Sequence, residues 1–376
     1  MRVALIHYWL VTWRGGERVL KAIGDLFPDA DLFTHVADPA LIAREFPGRS
    51  VRSTFIARLP FARRWYPRYL PLMPLALEQL DLRDYDLVIS SESGPAKGVI
   101  VAPHATHICY CHSPMRYLWD RYHEYYGAAG PITRLAMAPA FHSMRTWDQV
   151  SAQRVDHFVA NSAFVASRIR RYYRRDAEVI HPPVAVDRFG AHPAVATEDF
   201  YLWVGQLVPY KRPDLLIDAF NALDRPLVVI GDGPMLSRLK RRANPKIRFL
   251  GPQAEAVIAD HYARCRAVVF PGVEDFGIVP VEAMASGTPV IAFDRGGVRE
   301  TVRDRLTGLL FREQSVPALI DAVKTFEALP PFDRAVLREQ AAPFAEARFK
   351  SRFSALVERV LAGGGAPAVD EGDPGP

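Results

Sequence analysis

Short apolar runs, each followed by an amphipathic stretch, recur along most of the chain, and this alternation constrains the fold more than any other feature. The runs read as strands at Arg2–Tyr8, Tyr85–Ser90, His107–Cys111, Asp156–Ala160, Phe200–Gly205, Pro226–Gly231, Ile247–Gly251, Ala267–Pro271 and Thr288–Phe293. Within them apolar residues follow one another instead of alternating, the pattern of strands covered on both faces. Between them, segments such as Arg212–Leu223 repeat apolar side chains at helical spacing. A βαβα series of this kind predicts an α/β protein built on parallel, doubly wound sheets. At 376 residues and 49% hydrophobic content the chain exceeds what one core usually serves, so two domains are expected.

The break is expected where Pro182 and Pro183 stop a strand and a polar, small-residue stretch runs to the next strand at Phe200. That gives domains at 1–190 and 191–345, with a hinge near Pro183–Glu198 and a Gly/Pro/Asp-rich tail over 362–376 predicted to be disordered. Cys109, Cys111 and Cys265 are too few for a disulfide framework, and neither a cleavable signal nor a membrane-length apolar run is evident, so a reducing cytoplasm is expected. A formal net charge of +5 and a pI near 9.1 suggest partners that carry phosphate: nucleic acid, nucleotides or an anionic membrane surface.

The chemistry concentrates in VEDFGIVPVEAMASGTPVIA, Val273–Ala292. Because the strand before it ends at Pro271, residues 272–277 read as a strand-to-helix loop and VPVEAMASG as a helix closed by Gly287. Glu274 then lies at the carboxyl end of a parallel strand, and Glu282 about one turn into the helix. Amides around Phe276, Gly277 and Ile278 form the helix start, where the dipole favours an anion. A carboxylate beside a phosphate repels it, so the two glutamates suit neutral hydroxyls on either side of an anion site. On local physics alone they read equally well as a solvated loop residue and a dipole-favoured first-turn carboxylate.

Supporting motifs lie at other strand ends. Gly15 and Gly16 in RGGERVL allow close approach of a helix amino terminus to a diphosphate. GQLVPYKRPDLL places Gln206, Lys211 and Arg212 after the first strand of the second half, and GDGP supplies Gly233 on another loop. Each has a plain alternative as an exposed cation or a turn.

In this order, GGERVL, YCHSP at Tyr110–Pro114, Asn161-Ser162, IHPPV, GQLVPYKR, GDGP and the Val273–Val302 run resemble the signature of the retaining group-1 (family 4) glycosyltransferases. The resemblance spans roughly Arg2 to Phe353, and bacterial mannosyltransferases of cell-surface glycan assembly are among the members it resembles. It implies the GT-B fold, two Rossmann-like domains facing across a cleft, with a helix around 345–361 packing back on the first. Carried over by position, it implies that Glu274 binds hydroxyls of the transferred hexose, that Phe276 and Gly277 present amides, that Glu282 holds the ribose, and that Lys211 neutralises the diphosphate, with Gly16 approaching from the other domain. His112 is implied beside the sugar at the reaction centre. Gln206 stands where the family usually has arginine, which removes a charge-assisted contact unless Arg212 compensates. No carboxylate pair is evidently placed as nucleophile and acid, so front-face transfer is expected, with the leaving diphosphate stabilised by Lys211 and amides, without a metal or other cofactor. The expected donor is GDP-mannose, the expected acceptor a glycan or a polyprenyl-linked glycan. A UDP-sugar donor, an epimerase and a non-catalytic sugar-nucleotide binder are the alternatives.

Other constellations read as structural. HATHICYCH, His104–His112, matches no common zinc spacing, and Asp84-Tyr85-Asp86 precedes a strand where a metal-binding DxD would follow one. Arg58, Arg63, Arg64 and Arg68, interleaved with Phe61, Trp65, Tyr66 and Tyr69, suit an anionic membrane surface, and Ser167–Arg175 is a second run of the same type. No nucleic-acid module is recognisable, so nucleic acid is not expected as a partner.

Overall fold

The computed structural model describes residues 1–191 and 195–363. The remainder of the expected tail, 364–376, and residues 192–194 of the expected hinge lie outside the described residues. Two compact units emerge, one comprising residues 1–181 with those from Phe349 onward, the other Pro182–Arg348.

The first unit is a parallel sheet of β1 (Val3–His7), β2 (Asp31–Thr34), β3 (Val51–Ser53), β4 (Leu87–Glu92), β5 (Thr106–Cys111), β6 (His157–Ala160) and β7 (Ala177–Val179), in the spatial order β3-β2-β1-β4-β5-β6-β7. The second holds β8 (Tyr201–Val204), β9 (Leu227–Ile230), β10 (Ile247–Gly251), β11 (Val268–Phe270), β12 (Val290–Phe293) and β13 (Gly308–Phe311), ordered β10-β9-β8-β11-β12-β13 and also parallel. Every strand read from the sequence is present. The strands not anticipated, β2, β3, β7 and β13, have three or four residues each. Three of them lie at sheet edges, where a run needs less apolar length, and β2 opens on Asp31.

In each unit the strand order reverses once, between β1 and β4 and between β8 and β11. Loops leaving the carboxyl ends of diverging neighbours open a crevice there, which is where doubly wound sheets bind ligands. Two layers of helices cover each sheet. The final helix, Glu346–Leu361, buries Phe349, Phe353, Leu356 and Val357 in the first unit's core beside Tyr110 and Ile180. Val184, Val186 and Phe189 pack into the core of the second.

Candidate active site

At the reversal in the first unit, β1 runs through a short loop into the helix Gly15–Leu26. Glu17 fixes that helix start: its carboxylate accepts from the Arg14 amide at 3.0 Å and from Thr12 Oγ1 at 3.1 Å. Burial raises its pKa above the usual carboxylate range. Gly15 and Gly16 form the first turn. A side chain at Gly16 would bring its Cβ to 2.8 Å from the Tyr8 hydroxyl and 3.6 Å from His112 Nε2. Gly16 and His112, 96 positions apart by the difference of their numbers, are thus neighbours. His112 follows β5, its amide bonded to the Glu92 carbonyl at 2.7 Å. Its Nε2 lies 2.8 Å from Ser91 Oγ, and Ser91 Oγ lies 3.1 Å from His7 Nδ1. Burial, then the nearby His112 ring, hold His7 well below the ordinary histidine range, with Ser91 acting the other way.

The second unit gathers the remaining residues at its own reversal. Lys211 follows β8 and Glu274 follows β11, and Lys211 Nζ lies 2.8 Å from Glu274 Oε1. Both side chains are largely sheltered, at 15% and 20% exposure. Gly272 explains how the two loops come this close: a Cβ there would sit 2.7 Å from Lys211 Cα, so any larger residue would push the lysine away. On the other side, Gly296 and Gly297 clamp the Glu274 loop. The Gly297 amide donates to the Glu274 carbonyl at 3.0 Å, and a Cβ on Gly297 would approach the Asp275 carbonyl to 2.3 Å.

Gly277 caps the helix Ile278–Ala285 with a φ of 89°, a left-handed conformation that glycine adopts without strain. The side chain of Phe276 is buried against Phe344, and Ile278 packs against the core. Glu282 is buried one turn in, where the Tyr262 hydroxyl donates to its Oε2 at 3.1 Å and orients it.

Two of the three other expected residues, Arg212 and Gly233, bond to the scaffold. Arg212 forks onto Asp214, with Nε 3.1 Å from Oδ1 and Nη2 3.1 Å from Oδ2, and its Nη1 bonds Gln314. Its guanidinium is thus paired with a neighbouring carboxylate, as Lys211 is with Glu274. The Gln206 side chain is half-buried. Gly233 donates its amide to Asp232 Oδ1 at 2.7 Å.

Sequence reasoning missed His7, Ser91, Glu17 and Tyr262. His7, Ser91 and Tyr262 lie inside strands or helices as single residues that only tertiary packing brings together with the others, whereas Glu17 makes a local contact, three residues after the helix cap, that capping-box spacing could have signalled. Gly296 and Gly297 lie inside the Val273–Val302 run, but their contact with the Glu274 loop is decided by the fold.

The other constellations are placed as follows in the described residues. Cys109 and Cys111 are buried thiols, His107 Nε2 contacts Ser90 Oγ at 2.9 Å, and Tyr85 and Asp86 bond Asp31 and the Arg2 amide. Of the Ser167–Arg175 run, Arg168 is buried on Asp120 and Ser113, Tyr173 is buried, and Arg175 caps the carbonyls of Ala152 and Asp156. Only part of that run faces solvent. Arg58, Arg63, Arg64 and Arg68 are all exposed, together with Phe61, Leu72 and Leu75.

Two family models divide the chain between them, one described as "Glycosyltransferase Family 4" over residues 13–188 and the other as "Glycosyl transferases group 1" over 187–343. The chain belongs to the group-1 (family 4) glycosyltransferases. A D-inositol 3-phosphate glycosyltransferase of Streptomyces scabiei is 30% identical over 278 residues, 58% of this chain and 62% of that one. A GDP-mannose-dependent alpha-(1-6)-phosphatidylinositol monomannoside mannosyltransferase of Mycobacterium tuberculosis is 34% identical over 187 residues, 42% of this chain and 48% of that one. The match thus spans between about half and three-fifths of these relatives' length. Among solved structures, Anabaena HepE in complex with UDP and glucose superposes with a TM-score of 0.70 at 17% identity, covering 95% of this chain and 99% of that one. Sucrose-phosphate synthase from Thermosynechococcus elongatus gives 0.70 at 19% identity, with 96% and 100% covered. This family's fold, GT-B with two Rossmann-like units, is therefore the fold of the chain.

Proposed function

We propose that this family member is a retaining hexosyltransferase that moves mannose from GDP-mannose to a glycan or polyprenyl-linked glycan, without a metal, at the cytoplasmic face of a membrane. The observation that carries the reading is the Lys211–Glu274 pair at the strand-order reversal, with buried Glu282 one turn into the helix that follows the Glu274 loop. Lys211 with a glycine-capped helix start, then Glu274, then a carboxylate oriented by tyrosine suit, in series, a diphosphate, a hexose and a ribose. Before a donor arrives, Lys211 and Glu274 neutralise each other. A diphosphate entering beside Lys211 would share its charge and release Glu274 to accept from sugar hydroxyls.

As the anomeric C–O bond breaks, negative charge grows on the departing phosphate, where Lys211 and the amides at Gly277 would stabilise it. The sugar gains oxocarbenium character, and the leaving oxygen would take the acceptor proton on the same face, which retains configuration. Mannose is chosen because a relative named for GDP-mannose dependence aligns here. A UDP-sugar is the second reading, favoured by the UDP held by the solved structure named above. Exposed Arg58, Arg63, Arg64 and Arg68 around Phe61 suit contact with anionic lipid, where a lipid-linked acceptor would reside.

Thermal stabilisation by GDP, UDP, ADP and their hexose conjugates tests the donor, with Glu282→Ala as control. Stabilisation by GDP and GDP-mannose that the variant loses is the expected result. Stabilisation by UDP overturns the mannose assignment, and no response to any nucleotide overturns the transferase reading.

A further inference from the structure

The three side chains His7, Ser91 and His112 form a chain across the carboxyl edge of the first sheet. Register places His7 opposite Ser91, and Glu92 opposite Cys111, the residue before His112. His7 and Ser91 are buried, at 1% and 0% exposure. His7 Nε2 has no hydrogen-bond partner among the described residues. Ser91 Oγ carries one proton and touches two imidazole nitrogens, at 3.1 and 2.8 Å, and no other partner of that hydroxyl is present among the described residues.

Proton counting then selects one arrangement. If His112 Nε2 donated to the serine, the serine would donate to His7 Nδ1 and the proton of neutral His7 would sit on Nε2. That buries a donor with no acceptor, the costlier kind of orphan in a protein interior. If both rings donated, the serine proton would have no acceptor. In the remaining arrangement His7 Nδ1–H donates to Ser91 Oγ, Ser91 donates to His112 Nε2, and the only atom left unpaired is a bare ring nitrogen, which is tolerated more readily.

We propose that His7 and Ser91 are positioning residues that hold His112 as the neutral tautomer protonated on Nδ1. His112 Nε2, occupied by the serine proton, is then not available as a general base, and the ring acts as a hydrogen-bond donor through Nδ1. This deepens the transferase reading, since it rests on His112 lying beside the transferred sugar.

The direct test is long-range proton–nitrogen correlation on the full chain labelled with nitrogen-15 histidine, with His112→Gln used to assign the ring signals. Protonated Nδ1 and bare Nε2 are expected for His112, with Ser91→Ala producing Nε2-protonated or mixed His112 and Ser91→Thr restoring the parent pattern. An Nε2-protonated His112 in the parent, or a Ser91→Ala spectrum identical to it, overturns the relay. In a transfer assay Ser91→Ala should lower kcat roughly five- to tenfold with little change in donor KM, the scale of one lost hydrogen bond. Ser91→Thr should recover most of that loss. A tautomer that shifts as expected while turnover is unaffected would leave the relay standing and refute the placing of His112 at the reaction centre.

Discussion

Replacing Lys97 by methionine should destabilise the first unit by about 4 kcal/mol at pH 7, and the deficit should shrink as the pH falls. Lys97 Nζ bonds Glu92 Oε1 at 2.8 Å and also bonds Asp148, and all three side chains are fully buried. Burial opposes its charge, but the two carboxylates outweigh burial and raise its pKa above the ordinary lysine range. Burial likewise pushes Glu92 upward, against the nearby lysine. Asp148 keeps donors of its own, Trp119 Nε1 at 2.7 Å and the Tyr173 hydroxyl at 3.0 Å. Without the lysine, Glu92 is the carboxylate that must take up a proton. Doing so at pH 7 from an ordinary pKa near 4.3 costs about 1.4 kcal/mol per unit, or about 3.7 kcal/mol. At pH 5.5 the same sum leaves about 1.6 kcal/mol, because a raised carboxyl pKa destabilises only above the unfolded value. Methionine approximates the lysine stem, so cavity formation adds little. Urea unfolding followed by tryptophan fluorescence is suited to the measurement, since of the six tryptophans only Trp203 lies in the second unit. Reading the difference from the parent at each pH removes contributions common to both. A deficit under about 1 kcal/mol that does not change with pH would refute the reasoning, because it would mean that Glu92 is already protonated in the parent.

Acid should loosen the same unit. Burial holds His35 down at about 4, against the Pro95 carbonyl, and His107 at about 3, against Arg154's backbone. Both stay neutral in the fold while the unfolded chain takes up protons below about 6.5, so stability falls as pH drops through that value, by about 4 kcal/mol for the pair between pH 7 and 5. A urea midpoint unchanged over that range would show that they do not remain neutral. Arg63→Glu with Arg64→Glu should abolish co-sedimentation with anionic vesicles at low salt and leave neutral vesicles unaffected, since each basic residue near such a surface contributes about 1 kcal/mol. Equal pelleting of the parent with both vesicle types would sink the electrostatic reading.

The positions of the candidate residues were legible because the family motifs follow strand ends, and a strand of consecutive apolar residues announces its own end. Lys211 after β8 and Glu274 after β11 are of this kind. Less visible was what each residue does once packed. Arg212 reads from the sequence as a cation beside Lys211, and only the structure shows that Asp214, two positions on, meets it in a fork. Arg168 looked like one more surface charge, but the helix Ala163–Tyr173 turns it inward onto Asp120. Charge counts along a chain do not record which face a helix presents.

By itself, the sequence determined the class of fold, since buried parallel strands require continuous apolar runs and their connecting helices a 3.6-residue period, both readable locally. It also singled out the loops that form the candidate site, since glycines and charged residues cluster after the strands. The tertiary structure alone decided which loops meet and how closely: Gly272 against Lys211, Gly297 against Asp275, and Ser91 between His7 and His112. Those contacts depend on strand order and register, which come from packing elements distant in sequence, and no local pattern encodes a distance between two loops.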